Sequence, residues 1–234
     1  SSVSSSSTAQ PYSPTPKSID LATTLLNSVY GDASSSNFPL PMQSFEAGPC
    51  NYCNKEDTTS QQQHRYLWTD AFAVLSYQSL SEYYIQNNDK EKAKLYEVAV
   101  EKLISVVHEC LGKPRSSREE DGMRKCEISP TGYVGLRIGK VETKKVTDYG
   151  MEYDGQYFHY IDKWLLALAR TNHVEEGIRI SKSIFPYFFS DSRYSEVGGI
   201  RWKLSIGKYS SMPLSRKQSY SIYSNLLISL SLHS

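Results

Sequence analysis

The sequence predicts an all-α fold built of helical hairpins, and three observations carry that prediction. Each strongly periodic stretch repeats its apolar residues at the 3.6-residue spacing of a helix, not at the alternation of a strand. These stretches come in pairs joined by a few polar residues, so the members of a pair must run antiparallel. No alternation of strand and helix patterns is present, which argues against a parallel α/β sheet.

The first element spans residues 18–30, where Ser18 is placed to cap, Ile19, Leu21, Leu25, Leu26 and Val29 form a stripe, and Gly31 ends it. A Ser/Pro/Gly/Asn/Gln-rich loop follows to about residue 63. The helix expected over residues 66–87 has a wide apolar face from Leu67, Trp68, Ala71, Phe72, Val74 and Leu75, as for an element buried on most sides. Asn87, Asn88 and Asp89 break it, and residues 90–111 return with Ala93, Tyr96, Val100, Leu103, Ile104 and Val107 on one stripe, closed by Gly112. After a glycine-containing irregular stretch (113–154), a helix from Asp154-Gly155 to about Arg170 turns at Thr171-Asn172, and residues 173–189 form its return arm.

Composition narrows the function classes. The 234 residues suffice for one domain of ordinary size or two small ones. Lys plus Arg number 26 against 25 acidic residues, a net charge of +1, so there is no electrostatic footprint for a nucleic-acid partner. The longest apolar run, Trp164 to Ala169, is far short of the ~20 residues of a membrane span. Residues 1–17 are Ser/Pro-rich with almost nothing to bury and are expected to be disordered. The helical domain is placed at 18–205, and a Ser-rich tail of uncertain order at 206–234. No basic and apolar leader pattern is visible, so a cytoplasmic location is favoured, although the first residue is not Met and an upstream signal is compatible with the sequence.

Most motif tests fail. The segment from Gly132 to Lys140 resembles a phosphate loop, but Val134 stands where a Walker A needs Gly, and Val141 replaces its Ser/Thr. Neither a nucleophile elbow nor a His-Glu-x-x-His pair occurs. Cys50 and Cys53 have the spacing of half a zinc knuckle, yet Cys110 and Cys126 are 16 apart; free thiols, a disulfide and zinc all stay open, with free thiols favoured. No metal ligands are assigned and no cofactor is expected.

What remains are polar side chains set among apolar ones. Asp70 lies one turn from Leu67 and Val74, on a buried side, where it either caps the helix or serves a site. Between Asp148 and Leu165, Tyr157, Ile161, Trp164 and Leu168 form a core stripe, and Gln156, His159 and Lys163 a polar one beside it. Asp154 is placed as the N-cap of that helix. Aromatic rings interleaved with Gln, His and Lys are the lining expected for a saccharide or polyol.

The motifs His64 to Val74, Gly135 to Lys140, Asp154 to Tyr160 with Lys163-Trp164, and Arg201 to Ser205 resemble an uncharacterised family of six-hairpin, glycosidase-like proteins of bacteria and fungi. The resemblance covers about residues 65–205. It implies an (α/α)6 toroid, of which this chain has room for only about half, with inner helices pointing their N-termini at a central cavity. A half-toroid leaves hairpin faces uncovered, so self-association is expected. The implied activity is that of a glycoside hydrolase or lyase, with Asp70 and Asp154 as the acid/base pair. Arg65, Arg137, Lys140, Gln156, His159, Lys163 and Lys203 would bind substrate, Glu152 would be the reserve carboxylate, and Trp68 and Trp164 the stacking surface. A non-catalytic helical scaffold or ligand-binding module is the alternative. These polar groups are expected to converge on one concave surface, because buried polar groups need mutual partners.

Overall fold

The computed structural model describes residues 14–40, 65–114, 123–139, 154–188 and 203–204. These residues form a mostly helical fold, as the periodicity predicts. Helix α1 (Pro16–Tyr30) begins two residues earlier than expected, because Thr15 is the cap and Ser18 reaches back to the Thr15 N–H, a reciprocal capping box. Helix α2 (Leu67–Gln86) and helix α3 (Lys90–Leu111) form the first hairpin, α3 being capped by Asp89. Helix α4 (Phe158–Arg170) and helix α5 (Val174–Phe188) form the second.

Both hairpins turn by the same device. Asn88 (φ 60°) and Asn172 (φ 62°) adopt the left-handed conformation that asparagine tolerates best among residues with a side chain. Beyond each, an N–H bonds five residues back, Asp89 to the Tyr84 carbonyl and His173 to the Leu168 carbonyl, which closes the helix end.

The hairpins pack through α2 and α4, whose N-terminal ends lie together: the Trp68 and Tyr160 ring centroids are 5.3 Å apart. Val74, Tyr77, Leu103, Ile161, Leu168 and Ile184 are fully buried in the core so formed. The largest exposed apolar side chains include Leu21 and Leu25 on α1 and Ile85 near the end of α2. A second tie runs through side chains. The Trp164 indole donates to His108 Nε2 (3.1 Å), so His108 carries its proton on Nδ1, facing Glu176 (3.3 Å). Burial holds the His108 imidazole down to about 4, against the opposing pull of Glu176.

Two short strands were not expected. Gln156–Tyr157 (β1) pairs antiparallel with Lys203–Leu204 (β2), in register Gln156↔Leu204. The pair is too short for any period to reveal it. It occupies the place where the sequence put a helix start, so α4 begins at Phe158 and its N-cap is Tyr157.

The irregular segment around residues 134–139 binds these parts together. Its backbone donates from Arg137 to Leu111 O and from Ile138 to Gly155 O, and Ile138 O accepts from Leu67 N–H. One short stretch therefore touches the end of α3, the start of α2 and the approach to α4. Gly135 (φ +65°) and Gly139 (φ +82°) make this possible: a Cβ would collide with Gln156 Oε1 at the first and with Arg65 O at the second.

Candidate functional site

The two candidate carboxylates are both inside the protein. Asp154 is 1% exposed and does not cap α4. Its Oδ2 accepts from Arg137 Nη1, and its Oδ1 accepts from the Gly139 N–H at 2.7 Å. Arg137 is itself spent, since Nε donates to Lys113 O (2.8 Å) and Nη2 to Cys110 O. The Cys110 carbonyl lies in the last turn of α3 and the Lys113 carbonyl just beyond its C-cap, where helical carbonyls lack internal partners and the dipole favours a cation. Asp154 thus anchors the guanidinium that finishes α3. Sequence reasoning missed this role because Asp before an apolar helix usually caps it.

Asp70 is 0% exposed and lies in the first turn of α2. Arg65 Nη1 is 3.5 Å from its Oδ1. The Tyr30 hydroxyl and the Tyr66 backbone lie close enough to act on the carboxylate, but among the described residues no donor meets full hydrogen-bond geometry to either oxygen. Burial pushes the carboxyl up to about 6, only partly offset by the Arg65 charge, the Tyr30 hydroxyl and the Tyr66 backbone. Arg65 also donates from Nη2 to Leu40 O and lies over the Tyr30 ring, 5.6 Å from its centroid. It is enclosed, so it cannot meet a ligand as placed.

The remaining sequence candidates divide. Gln156 is buried and acts as a strap: its Oε1 accepts from Leu136 N–H (3.1 Å) and its Nε2 donates to Val134 O (2.7 Å). Trp164 is fully buried against His108, which corrects the expectation that it offers stacking surface. Lys203 lies in β2, its backbone paired with Tyr157. Lys140 and Glu152 lie outside the described residues, as do Cys50 and Cys53; Cys110 and Cys126 are free thiols. The single concave surface expected for the polar set is therefore not what the described residues form: Arg137 and Asp154 meet, and Gln156 is buried too, but all three lie in the interior.

His159, Lys163 and Trp68 stay at the surface, and there a different assembly emerges. Trp68 in the first turn of α2 lies 5.8 Å from His159 and 5.3 Å from Tyr160 in the first turn of α4. Phe72, one turn further along α2, is 5.6 Å from Trp68 and 46% exposed. Tyr66 meets Tyr160 edge-on, and their hydroxyls hydrogen-bond to each other. His159 is exposed, with partial desolvation and Lys163 holding its imidazole below the usual value. The result is an aromatic shelf at the joined N-terminal ends of two helices. Phe72 and Tyr66 were not foreseen as parts of it, since Phe72 shares the apolar periodicity of α2 and nothing local reveals that its turn faces outward.

No family model, curated protein or solved structure matches this chain. Its function must be read from the shelf and its surroundings. Among the described residues no three His, Cys, Asp or Glu side chains are grouped to hold a metal ion. No helix among them is long and apolar enough to cross a membrane.

Proposed function

We propose that this protein binds carbohydrate, and that the shelf of Trp68, Phe72, His159 and Tyr160 is where a sugar ring stacks. The shelf is the observation that carries this reading. Half-exposed aromatic faces attract the polarised C–H face of a pyranose, while Tyr and His edges supply hydroxyl-compatible hydrogen bonds. The architecture is that of a partial (α/α)6 toroid. Two features support it: successive antiparallel hairpins, and neighbouring first arms that begin at the same end, as inner helices do around a toroid mouth. Titrating the protein with oligosaccharides while following tryptophan fluorescence tests the reading, with saturable binding expected and Trp68→Ala reducing affinity at least about tenfold.

Hydrolysis by Asp70 and Asp154 is the second reading, favoured by one observation, an Asp70 carboxyl raised toward the range of a general acid. The enclosure of both carboxylates makes binding without turnover the better reading. Release of reducing ends that disappears in Asp70→Asn would reverse that order.

A further inference from the structure

We infer that His108 is a proton-operated latch between the two hairpins: neutral, it holds both α4 and α5 to α3, and protonated it must release α4 while keeping α5. The geometry forces this asymmetry. His108 Nε2 accepts from the Trp164 indole at 3.1 Å, and Nδ1 faces Glu176 Oε2 at 3.3 Å. An imidazole already carrying its proton on Nδ1 can take a second one only on Nε2. That nitrogen then points an N–H at the indole N–H, and two donors cannot bond. On the other side, the same proton turns the contact with Glu176 into a stronger, charge-assisted pair. Trp164 is fully buried, so its indole loses the His108 acceptor inside the core, where an unmet donor is costly.

The surroundings make the charged form a second state of the fold. His108 lies in the last turn of α3, where the helix dipole favours a cation, and Glu176 in the first turn of α5, where it favours an anion. Burial opposes the imidazolium most. Among the described residues, the ionisable groups that act on it are Glu176, which draws the proton in, and His173 and Arg179, which oppose it. Release is therefore set in acid, at about pH 4. Glu176 also faces His173 Nδ1 at 3.6 Å, and His173 Nε2 meets Glu101 Oε1 on α3 at 3.0 Å. This second bridge runs from the buried imidazole to the exposed Glu101, and it keeps the start of α5 on α3 when α4 is let go.

The test follows the ring nitrogens of His108 and the indole N–H of Trp164 by NMR on the full chain between about pH 7 and 3, with Trp164→Phe assigning the indole. At about pH 7 the His108 proton is expected on Nδ1. Both signals should then change together with one midpoint near pH 4. Below it, exchange of the indole N–H, relative to its intrinsic rate, should rise at least about tenfold, while backbone amides of α2 and α3 keep their protection. His108→Gln retains one acceptor and one donor and should remove the transition, whereas Glu176→Gln should move its midpoint to lower pH. Asp70→Asn, which removes another group that titrates in acid, should leave the midpoint unchanged. A proton on Nε2 at about pH 7, an imidazole still neutral at about pH 3, or an indole N–H that stays protected once His108 is charged would overturn the inference. So would loss of the α2 and α3 protection at the same pH, since the release would then be global unfolding.

Discussion

Two arginine–aspartate pairs lie inside this protein and differ in how completely they are served. Around Arg137 and Asp154, every guanidinium nitrogen has an acceptor, and both carboxylate oxygens have a donor. Around Arg65 and Asp70, the charges face each other at 3.5 Å, but neither oxygen of Asp70 and only one Arg65 nitrogen is hydrogen-bonded among the described residues. Both pairs sit in a region of low dielectric, where desolvation is expensive and Coulomb attraction alone seldom offsets it. The comparison teaches that a buried ion pair stabilises by virtue of its surrounding hydrogen bonds. The first pair finishes a helix and pins a loop; the second carries a carboxylate that burial has pushed toward neutrality.

The largest expected effect separates the pairs directly. Arg137→Ala leaves Asp154 buried without its cation and exposes the α3 carbonyls, so urea denaturation should show a loss of about 3–5 kcal/mol. A loss below about 1 kcal/mol would mean that the fully bonded pair is not the anchor its geometry indicates.

Acid titration gives the next effect. Asp70 has a folded pKa raised to about 6, so its contribution to stability is fully present below about 4 and is lost as pH rises through 6. His108 is the reverse case: its folded pKa is lowered to about 4, so its contribution is present above about 6.5 and is lost as pH falls through 4. Each is worth roughly 3 kcal/mol, and the two oppose one another over the same window. Wild-type stability should therefore change little between about pH 6.5 and 4, whereas Asp70→Asn should become steadily less stable on acidification. Parallel pH profiles for the two proteins would break the assignment of Asp70 as the under-served partner.

Replacing both members of a pair by apolar residues sharpens the contrast further. Arg65→Met with Asp70→Leu should be neutral or stabilising by about 1–2 kcal/mol in thermal melts. The matching double change at Arg137 and Asp154 should destabilise, because the Lys113 and Cys110 carbonyls and the Gly139 N–H would lose their partners. The smallest effect is expected at the shelf, where Trp68→Ala should cost less than about 1 kcal/mol of stability while removing saccharide binding. A fall in stability as large as that of Arg137→Ala would mark Trp68 as core.

Helices were legible in the sequence because amphipathic spacing survives any tertiary context. Residues 90–111 are read off with the observed bounds, their ends being fixed locally by Asp89 and Gly112. Where the sequence misleads, the cause is distance along the chain. Asp154 looks like a cap, but its partners lie at Arg137 and Gly139, and a loop that folds back is invisible to local pattern. The β1–β2 pair joins residues nearly fifty apart, Gln156 to Leu204 and Tyr157 to Lys203, with only two residues on each side. Trp164 and Trp68 were indistinguishable as stacking surfaces, since each belongs to an apolar face; which helix turn emerges from the core depends on how α2 meets α4. That Asp70 is buried was legible, because it lies one turn from Leu67 and Val74 on an apolar face; that Asp154 is buried was not. The pairing of Arg137 with a carboxylate was expected from the convergence of the polar set, whereas that of Arg65 with Asp70 was not.

The stretch around residues 134–139 has a kinetic consequence. Its bonds to Leu111, Leu67 and Gly155 require the end of α3, the start of α2 and the approach to α4 to be in place already. The two hairpins are local and can form on the microsecond scale of helical contacts, but closing this lacing brings together chain segments tens of residues apart and must follow. It should therefore be the last part to order and the first to open. Substitutions such as Ile138→Val would then speed unfolding while leaving the folding rate nearly unchanged. The same late closure would make the joined ends of α2 and α4, and with them the shelf, the part of the protein whose lifetime is set by how long that lacing holds.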